Sequence, residues 1–370
     1  MSNLFPQKKL GFGLMRLPKK DGHIEVERVA AMADRFIEQG FTYFDTAYVY
    51  AGSEEAFREA VVCRYPREAF TVADKMAGWV MDSRLTPEKM FEESLQRCGV
   101  TYFDYYLLHS LSRSRLVTYD KKDCWGFIRR KKDEGKIRHI GFSFHGEPEL
   151  LEEILEAHPE VEFVQLQINY VDWENEAIWS RRNYEICCRY GKEIVVMEPV
   201  KGGFLADLPP KAKEVFAGVR PEASDASWAL RYAASLPGVA MVLSGMGAES
   251  QMNENLTTFS DFRPLDEREQ KAVTQVREIV LSAPSIQCTA CRYCCKGCPQ
   301  GIDIPEIFKA DNMIRLFGEH IRPHLYYDNL LATGGARAGE CIACGQCESV
   351  CPQHLPVIRL LQEASGRLDK

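Results

Sequence analysis

The residues best equipped to do chemistry lie near the carboxyl end, in two runs of cysteine. Cys288, Cys291, Cys294 and Cys298 follow C-x2-C-x2-C-x3-C-P, and Cys341, Cys344, Cys347 and Cys351 repeat that spacing, with Pro299 and Pro352 closing the runs. Two-residue gaps let a loop wrap three thiolates around one cubane, and the fourth cysteine, stepping further away, is set to reach the other cluster. By that logic one iron–sulfur site takes Cys288, Cys291, Cys294 and Cys351, and the second takes Cys341, Cys344, Cys347 and Cys298. A zinc ion asks for four ligands in a tight tetrahedron and does not require this spacing. Cys295, inside the first run, is a spare thiol or an alternative ligand; the spacing favours Cys294. Cys63, Cys98, Cys124, Cys187 and Cys188 are scattered and read as small apolar residues. The chain holds 14 cysteines and its first residues show no apolar leader, so reduced thiols are expected, and clustered ones read as metal ligands rather than disulfides.

A much longer segment precedes these runs. From about residue 8 to 260, "GFGLMRL", "FTYFD", "AFTVADK", "DYYLLH", "IRHIGFS", "EFVQLQIN", "EIVVMEP" and "VAMVLSG" read as strands. Between them, stretches such as "VERVAAMADRFIEQG" and "PEKMFEESLQRCG" carry apolar residues at helical spacing. Several strands are apolar at nearly every position, as when both faces of a parallel sheet are buried. The eight units predict a closed (β/α)8 TIM barrel. A doubly wound sheet is the alternative, but "GFGLMRLP" lacks the third glycine of the dinucleotide fingerprint. A charged helix, "PLDEREQKAVTQVREIVLSAP", ends at Ala283–Pro284, where the composition turns to cysteine and proline. The expected domains are residues 1–283, a barrel with its trailing helix, and 284–370, a small, mainly helical unit. Within the latter, "IFKADNMIRLFGEHIRPHLYYDNLLATGG" forms helices joining the cysteine runs.

Barrels of this kind do chemistry at the carboxyl ends of their strands. Reading those ends in order finds Asp45 and Tyr50 in "YFDTAYVYAGSEE", Lys75 in "TVADKMAGW" and His109 in "DYYLLHSL". Each alone has a plainer role, as a turn cap or a structural side chain. Four ionisable residues at successive strand ends make a coordinated site the better reading. Trp79 and Met76, just beyond Lys75, are candidates to line an apolar pocket.

Residues 8 to 260 resemble the aldo-keto reductase family, whose Asp-Tyr-Lys-His tetrad matches Asp45, Tyr50, Lys75 and His109 in order and strand position. The last part of the chain resembles the bacterial dicluster ferredoxins, and the combination resembles aldo-keto reductases of anaerobes that carry a ferredoxin-like extension. The resemblance implies carbonyl reduction by NADPH or NADH, with Tyr50 as general acid. Lys75, near Tyr50, would lower the phenol's pKa; Asp45 would hold Lys75; His109 would orient the carbonyl. It also implies nucleotide contacts from Ser143, Gln165 and Met197 at the nicotinamide, and from Gly245, Gln251, Glu254 and Asn255 at the adenosine end. Phe144 replaces the asparagine that usually follows the serine, Met197 stands where an aromatic is common, and Gln251 falls near the usual arginine.

A net charge of −7 argues against a nucleic-acid platform, and no uninterrupted apolar stretch is long enough to span a membrane, so a cytoplasmic protein is expected. The implied cofactors are two [4Fe-4S] clusters and NADPH or NADH; the implied partners are a small carbonyl substrate and an external electron-transfer protein. Hydride moves as an electron pair and a cluster passes single electrons, and no flavin signature joins them. Three readings follow: a reductase whose clusters exchange electrons with a partner, a reductase whose clusters are structural, and a redox-sensing module whose barrel is not a conventional carbonyl reductase.

Overall fold

A computed structural model describes residues 4–176, 178–282, 285–317, 321–332 and 334–369; the expected boundary at Ala283–Pro284 lies outside the described residues. The strands β1 (Leu10–Gly13), β2 (Tyr43–Asp45), β3 (Thr71–Met76), β4 (Phe103–Leu111), β5 (Ile137–Phe144), β6 (Phe163–Gln167), β7 (Glu193–Met197) and β8 (Val239–Ser244) form a closed parallel barrel, β8 pairing with β1. Each expected strand is present. The helix Pro87–Cys98 shows the local logic: Thr86 caps it by accepting from the Lys89 amide at 3.3 Å, Pro87 opens it, and Gly99, at φ 71°, ends it.

The two-residue period of a strand decides what faces inward. Tyr43, Ala73, Tyr105, Leu107, Phe163, Val195, Met241 and Leu243 fill the barrel interior. Phe5 enters from the amino-terminal end, its ring 4.7 Å from that of Tyr105 and 5.4 Å from that of Phe163. Asp45, Lys75 and His109 lie two residues beyond Tyr43, Ala73 and Leu107 on those same faces. Apolar inward residues therefore plug the lower barrel, while polar ones reach its carboxyl end. The intervening residues Phe44, Val72, Met76, Tyr106 and Leu108 pack outward against the helices.

The carboxyl-terminal unit is helical and has its own core, built from Ile302, Ile304, Ile307, Phe308, Tyr327, Val357, Leu361 and Ala364. The helices Ile304–Phe317 and Ile321–Ala332 lie between the cysteine runs, as expected, and Val357–Leu368 closes the unit. Buried Asp311 draws Arg315 (2.6 Å) and Arg367 onto it, tying the first and last of these helices together. Among the described residues, no helix is long and apolar enough to cross a membrane.

Candidate active site

Lys75 is fully buried at the end of β3 and donates to Asp45 Oδ1 at 2.5 Å and to the Thr46 carbonyl at 2.6 Å. Removing either member of such a pair strands the other charge, at a cost of about 3–5 kcal/mol, so the two residues hold each other in place. The Lys75 ammonium is 5.0 Å from the centre of the half-buried Tyr50 ring, and the His109 ring lies 5.7 Å from it, edge to face at 84°. The four residues, drawn from three segments of the chain, are thus brought together at one end of the barrel.

Burial governs how these groups titrate. It pushes the Tyr50 phenol well up, with Asp45 adding to the rise and Arg16 opposing it, so the phenol moves opposite to the lowering expected from Lys75. Burial also drives His109 well below the usual imidazole range, helped by Lys75, His145 and Arg115, so its ring is neutral. A neutral phenol keeps its proton to give, and a neutral imidazole can donate from one nitrogen only. His109 Nδ1 is buried without a partner among the described residues.

Trp79 stands at the mouth, its indole 5.1 Å from the His109 ring. Met76 does not join it: strand parity sends it, with Asp74, to the helix side of the sheet. Tyr119, from the helix Arg113–Lys121, accepts from the Gly78 amide at 2.9 Å and donates to the His109 carbonyl at 2.6 Å, bracing the loop under Trp79.

The residues expected to hold the nucleotide fall into two groups. Gly245, Gln251, Glu254 and Asn255 line one groove of about 450 Å³, together with Arg16, Met246 and Gly247. Asn255 donates to Ser244 Oγ at 2.9 Å, Gln251 accepts from the Gly247 amide at 2.8 Å, and Glu254 accepts from the Ser224 hydroxyl. Ser143 and Gln165 are not among the residues lining that groove; Ser143 is near the end of β5, Gln165 is in the middle of β6, and Met197 is half-buried at the end of β7. Ser143 Oγ accepts from the Ser110 amide at 2.6 Å, and the buried carbonyl oxygen of Gln165 has no partner among the described residues.

A nucleotide fits these residues on two counts. The orphaned Gln165 amide oxygen can accept from a carboxamide. A Cβ at Gly247 would stand 3.1 Å from the Arg16 carbonyl, so the bare glycine keeps the groove floor open.

The cysteines line two hollows. Cys288, Cys291 and Cys294 share one with Cys351 and the apolar side chains of Phe308, Leu355 and Val357. Cys341, Cys344 and Cys347 share the other with Cys298, Ile302, Ile358 and Leu361. Ile304 is a wall of both, so the hollows are neighbours. All-sulfur donor sets in apolar walls suit iron–sulfur clusters. Cys295 points elsewhere, its thiol 3.8 Å from Asp303 Oδ1.

The repeat extends to the backbone. Ala290 and Ala343, Arg292 and Gly345, and Gly301 and His354 take positive φ at matching places in the two runs. Such turns aim successive amides inward, toward anionic groups; the Ala290 amide donates to Cys288 Sγ at 3.4 Å. Of the scattered cysteines, Cys98, Cys124 and Cys187 are buried as expected, whereas Cys63 and Cys188 are exposed.

The first hollow sits against the barrel mouth through contacts that sequence reading missed. Arg16, after β1, donates to the Thr289 carbonyl at 2.6 Å. Lys201, buried with Asp172 at 2.6 Å, also donates to Gln353 Oε1 at 3.0 Å, and Gln353 donates to Glu198 Oε2 at 3.1 Å. Glu198 also accepts from Gln167 at 3.1 Å; burial raises its carboxyl against the pull of Lys201 and Arg16. Tyr293, within the first cysteine run, lies close enough to feel the charges of Tyr50, Arg115 and Lys75. Arg16 and Glu198 follow strand ends, and applying to them the rule that found the tetrad would have singled them out.

Comparison with known proteins supports the same division. The model of the aldo/keto reductase family matches residues 9–278, and that of a 4Fe-4S dicluster domain matches residues 287–355. Among curated relatives, an aldo-keto reductase of Mycolicibacterium smegmatis is 32% identical over 155 residues, covering 42% of this chain and 51% of that protein. The 9,11-endoperoxide prostaglandin H2 reductase of Trypanosoma cruzi is 28% identical over 208 residues, covering 55% and 65%. The chain thus spans about half to two thirds of these relatives' length. Among solved structures, an aldo-keto reductase from Bacillus halodurans (holo form) superposes with a TM-score of 0.58 at 23% identity, covering 72% of this chain and 91% of that one. An aldo-keto reductase from Klebsiella pneumoniae in complex with NADPH gives 0.58 at 20%, covering 73% and 90%. These likenesses share the barrel fold. On its barrel, its residues 9–278 and the domain that follows them, the chain is a member of the aldo/keto reductase family that carries a 4Fe-4S dicluster domain.

Proposed function

We propose that the chain reduces a small carbonyl compound at the barrel mouth, using NADPH or NADH, with Tyr50 donating the proton. The observation that carries this reading is the buried Lys75–Asp45 pair set beneath the Tyr50 ring with His109 against its edge. A bound nicotinamide supplies the hydride. Tyr50, kept protonated by burial, gives its proton to the oxygen as charge develops there, and His109 orients that oxygen by hydrogen bonding. Lys75 stabilises the phenolate left behind, and Asp45 holds the ammonium in register. Ser143 and Gln165 would hold the carboxamide, Met197 would pack against the nicotinamide, and Gly245, Gln251, Glu254 and Asn255 would hold the adenosine end. The test is anaerobic oxidation of NADH or NADPH by the holoprotein on adding an aldehyde; absence of both turnover and nucleotide binding overturns the reading.

At the adenosine end no cation occupies position 251, and Arg16 is engaged with Thr289. A guanidinium there would pair with a 2′-phosphate. Gln251→Arg is expected to shift kcat/KM toward NADPH relative to NADH by roughly 10-fold, measured with both nucleotides.

We also assign one [4Fe-4S] cluster to each hollow, with ligation crossed between the runs as read from the spacing. Cys351→Ser then removes the cluster nearer the barrel, far from it in sequence, and iron per chain falls by about half. Cys295→Ser leaves iron unchanged. Equal iron loss in both variants would displace Cys294 as the ligand.

The contacts of Arg16, Gln353 and Tyr293 at the mouth favour clusters that act together with the barrel over a detached sensor. The second hollow is the outward end: Cys344 is exposed, and Ile342 beside it is 58% exposed. An external one-electron carrier would meet the chain there.

A further inference from the structure

Arg115, on the helix Arg113–Lys121, brings a guanidinium to the mouth beside the tetrad. It lies over Trp79 at 4.1 Å from the indole centre, and that indole is the one packed on His109 at 5.1 Å. One face of the mouth therefore runs from Tyr50 through His109 and Trp79 to a positive charge.

Among the described residues the charge has no counterion. Arg67, Arg97 and Arg231, also withdrawn from solvent, meet Asp104 at 2.5 Å, Glu54 at 3.1 Å and Glu269 at 2.8 Å. Among the described residues, no carboxylate comes within ion-pair distance of Arg115. The groups whose charge it feels are the phenols of Tyr293 and Tyr119, with no acid among them, and burial lowers its pKa.

Its hydrogen bonds are few. Nη1 donates to the Ser110 hydroxyl and, at 3.4 Å, to the Ser110 carbonyl. Nε and Nη2 have no partner among the described residues, and neither is sealed from solvent. The acceptor itself is strained: Ser110, next to His109, is a buried non-glycine residue at φ 57°. Strain of that kind persists where surrounding structure enforces it, and it gathers at functional sites.

Stacking on Trp79 and the bonds to Ser110 account for one nitrogen and one face of the guanidinium. They leave open the two-donor edge that matches a planar carboxylate. Withdrawing such a charge from water without a partner is costly, and an anionic ligand would offset that cost.

We propose that Arg115 binds a carboxylate on the substrate, so that the compound presented to Tyr50 and His109 is a short oxo acid whose carbonyl and carboxylate lie about one indole apart. This rests on the reading of the tetrad as a carbonyl-reducing site. Arg115 is a substrate-binding residue here, contributed by the barrel, with Tyr293 of the cysteine-rich unit near enough to act on its charge.

The test uses the anaerobic holoprotein and two four-carbon aldehydes, succinic semialdehyde and butanal. The wild type is expected to favour the acid in kcat/KM, and Arg115→Met to lower the acid-to-butanal ratio roughly 10- to 100-fold. Arg115→Lys, which keeps a charge without the fork, should fall between them. An unchanged ratio in Arg115→Met, or a wild type indifferent to the carboxylate, overturns the proposal.

Calorimetric titration with succinate reads the anion site without turnover: binding to the wild type and its loss in Arg115→Met are expected. If no aldehyde is reduced but succinate binds through Arg115, the carbonyl-reduction reading fails and the anion site stands. If butanal is reduced as well as its acid and succinate does not bind, the reading stands and the anion site fails. Tighter binding of inorganic phosphate than of succinate replaces the carboxylate class with a phosphorylated one and overturns the proposal as stated.

Discussion

Replacing Tyr50 with phenylalanine is expected to leave nucleotide affinity within a few-fold of wild type while lowering carbonyl turnover by roughly 10²- to 10⁴-fold. The ring of Tyr50 packs against His109 and above Lys75, and phenylalanine preserves both contacts. Only the hydroxyl is lost, and with it the proton that the developing alkoxide requires. The groove lined by Gly245, Gln251 and Asn255 does not include residue 50, so binding there should persist. Fluorescence titration with NADPH or NADH, set beside single-turnover oxidation of the bound nucleotide, separates the two effects. Turnover near the wild-type rate removes Tyr50 as the acid.

Gly202→Ala should loosen the cysteine-rich unit from the barrel. Gly202 has φ 66°, and a Cβ there would stand 2.1 Å from the Thr289 carbonyl oxygen, which is backbone and cannot swing aside. The left-handed conformation adds a cost of about 1–2 kcal/mol for any residue with a side chain. Thr289 lies between Cys288 and Ala290, so the loop around the first hollow must lift, breaking the bond from Arg16. The expected loss at the interface is about 2–4 kcal/mol. Hydrogen exchange would show it as faster exchange at residues 288–294 and around Arg16, with the barrel strands still protected. Unchanged exchange in that segment would mean the unit is held by other contacts.

What could be read from sequence tracks the range over which each signal acts. Strands such as "DYYLLH" and "EIVVMEP" announce themselves by apolar runs, and the alternation within them places Asp45, Lys75 and His109 inward. That same alternation excludes Met76 from the pocket, a distinction visible in "TVADKM" once Lys75 is taken as inward. The cysteine rhythm carries the sorting of the two hollows, because a short loop has few ways to gather three sulfurs; Cys294 and not Cys295 lines the first of them. The direction of the Tyr50 shift was not legible, since desolvation depends on what covers the phenol. The docking of the two units was hidden as well. Glu198 and Gln353 meet across 155 residues, and Lys201 reaches Gln353 across 152. Local periodicity says nothing about such pairs. Arg115 escaped notice because its meaning lies in a missing counterion, which only the folded neighbourhood reveals.

The seating of Thr289 on Arg16 and Gly202 joins the barrel mouth to the first cysteine loop. If Cys288 and Cys291 hold a cluster as proposed, its loss would also slacken the loop around Thr289 that rests on the barrel. Loss of the proposed cluster would then reach the barrel mouth through the Arg16–Thr289 contact.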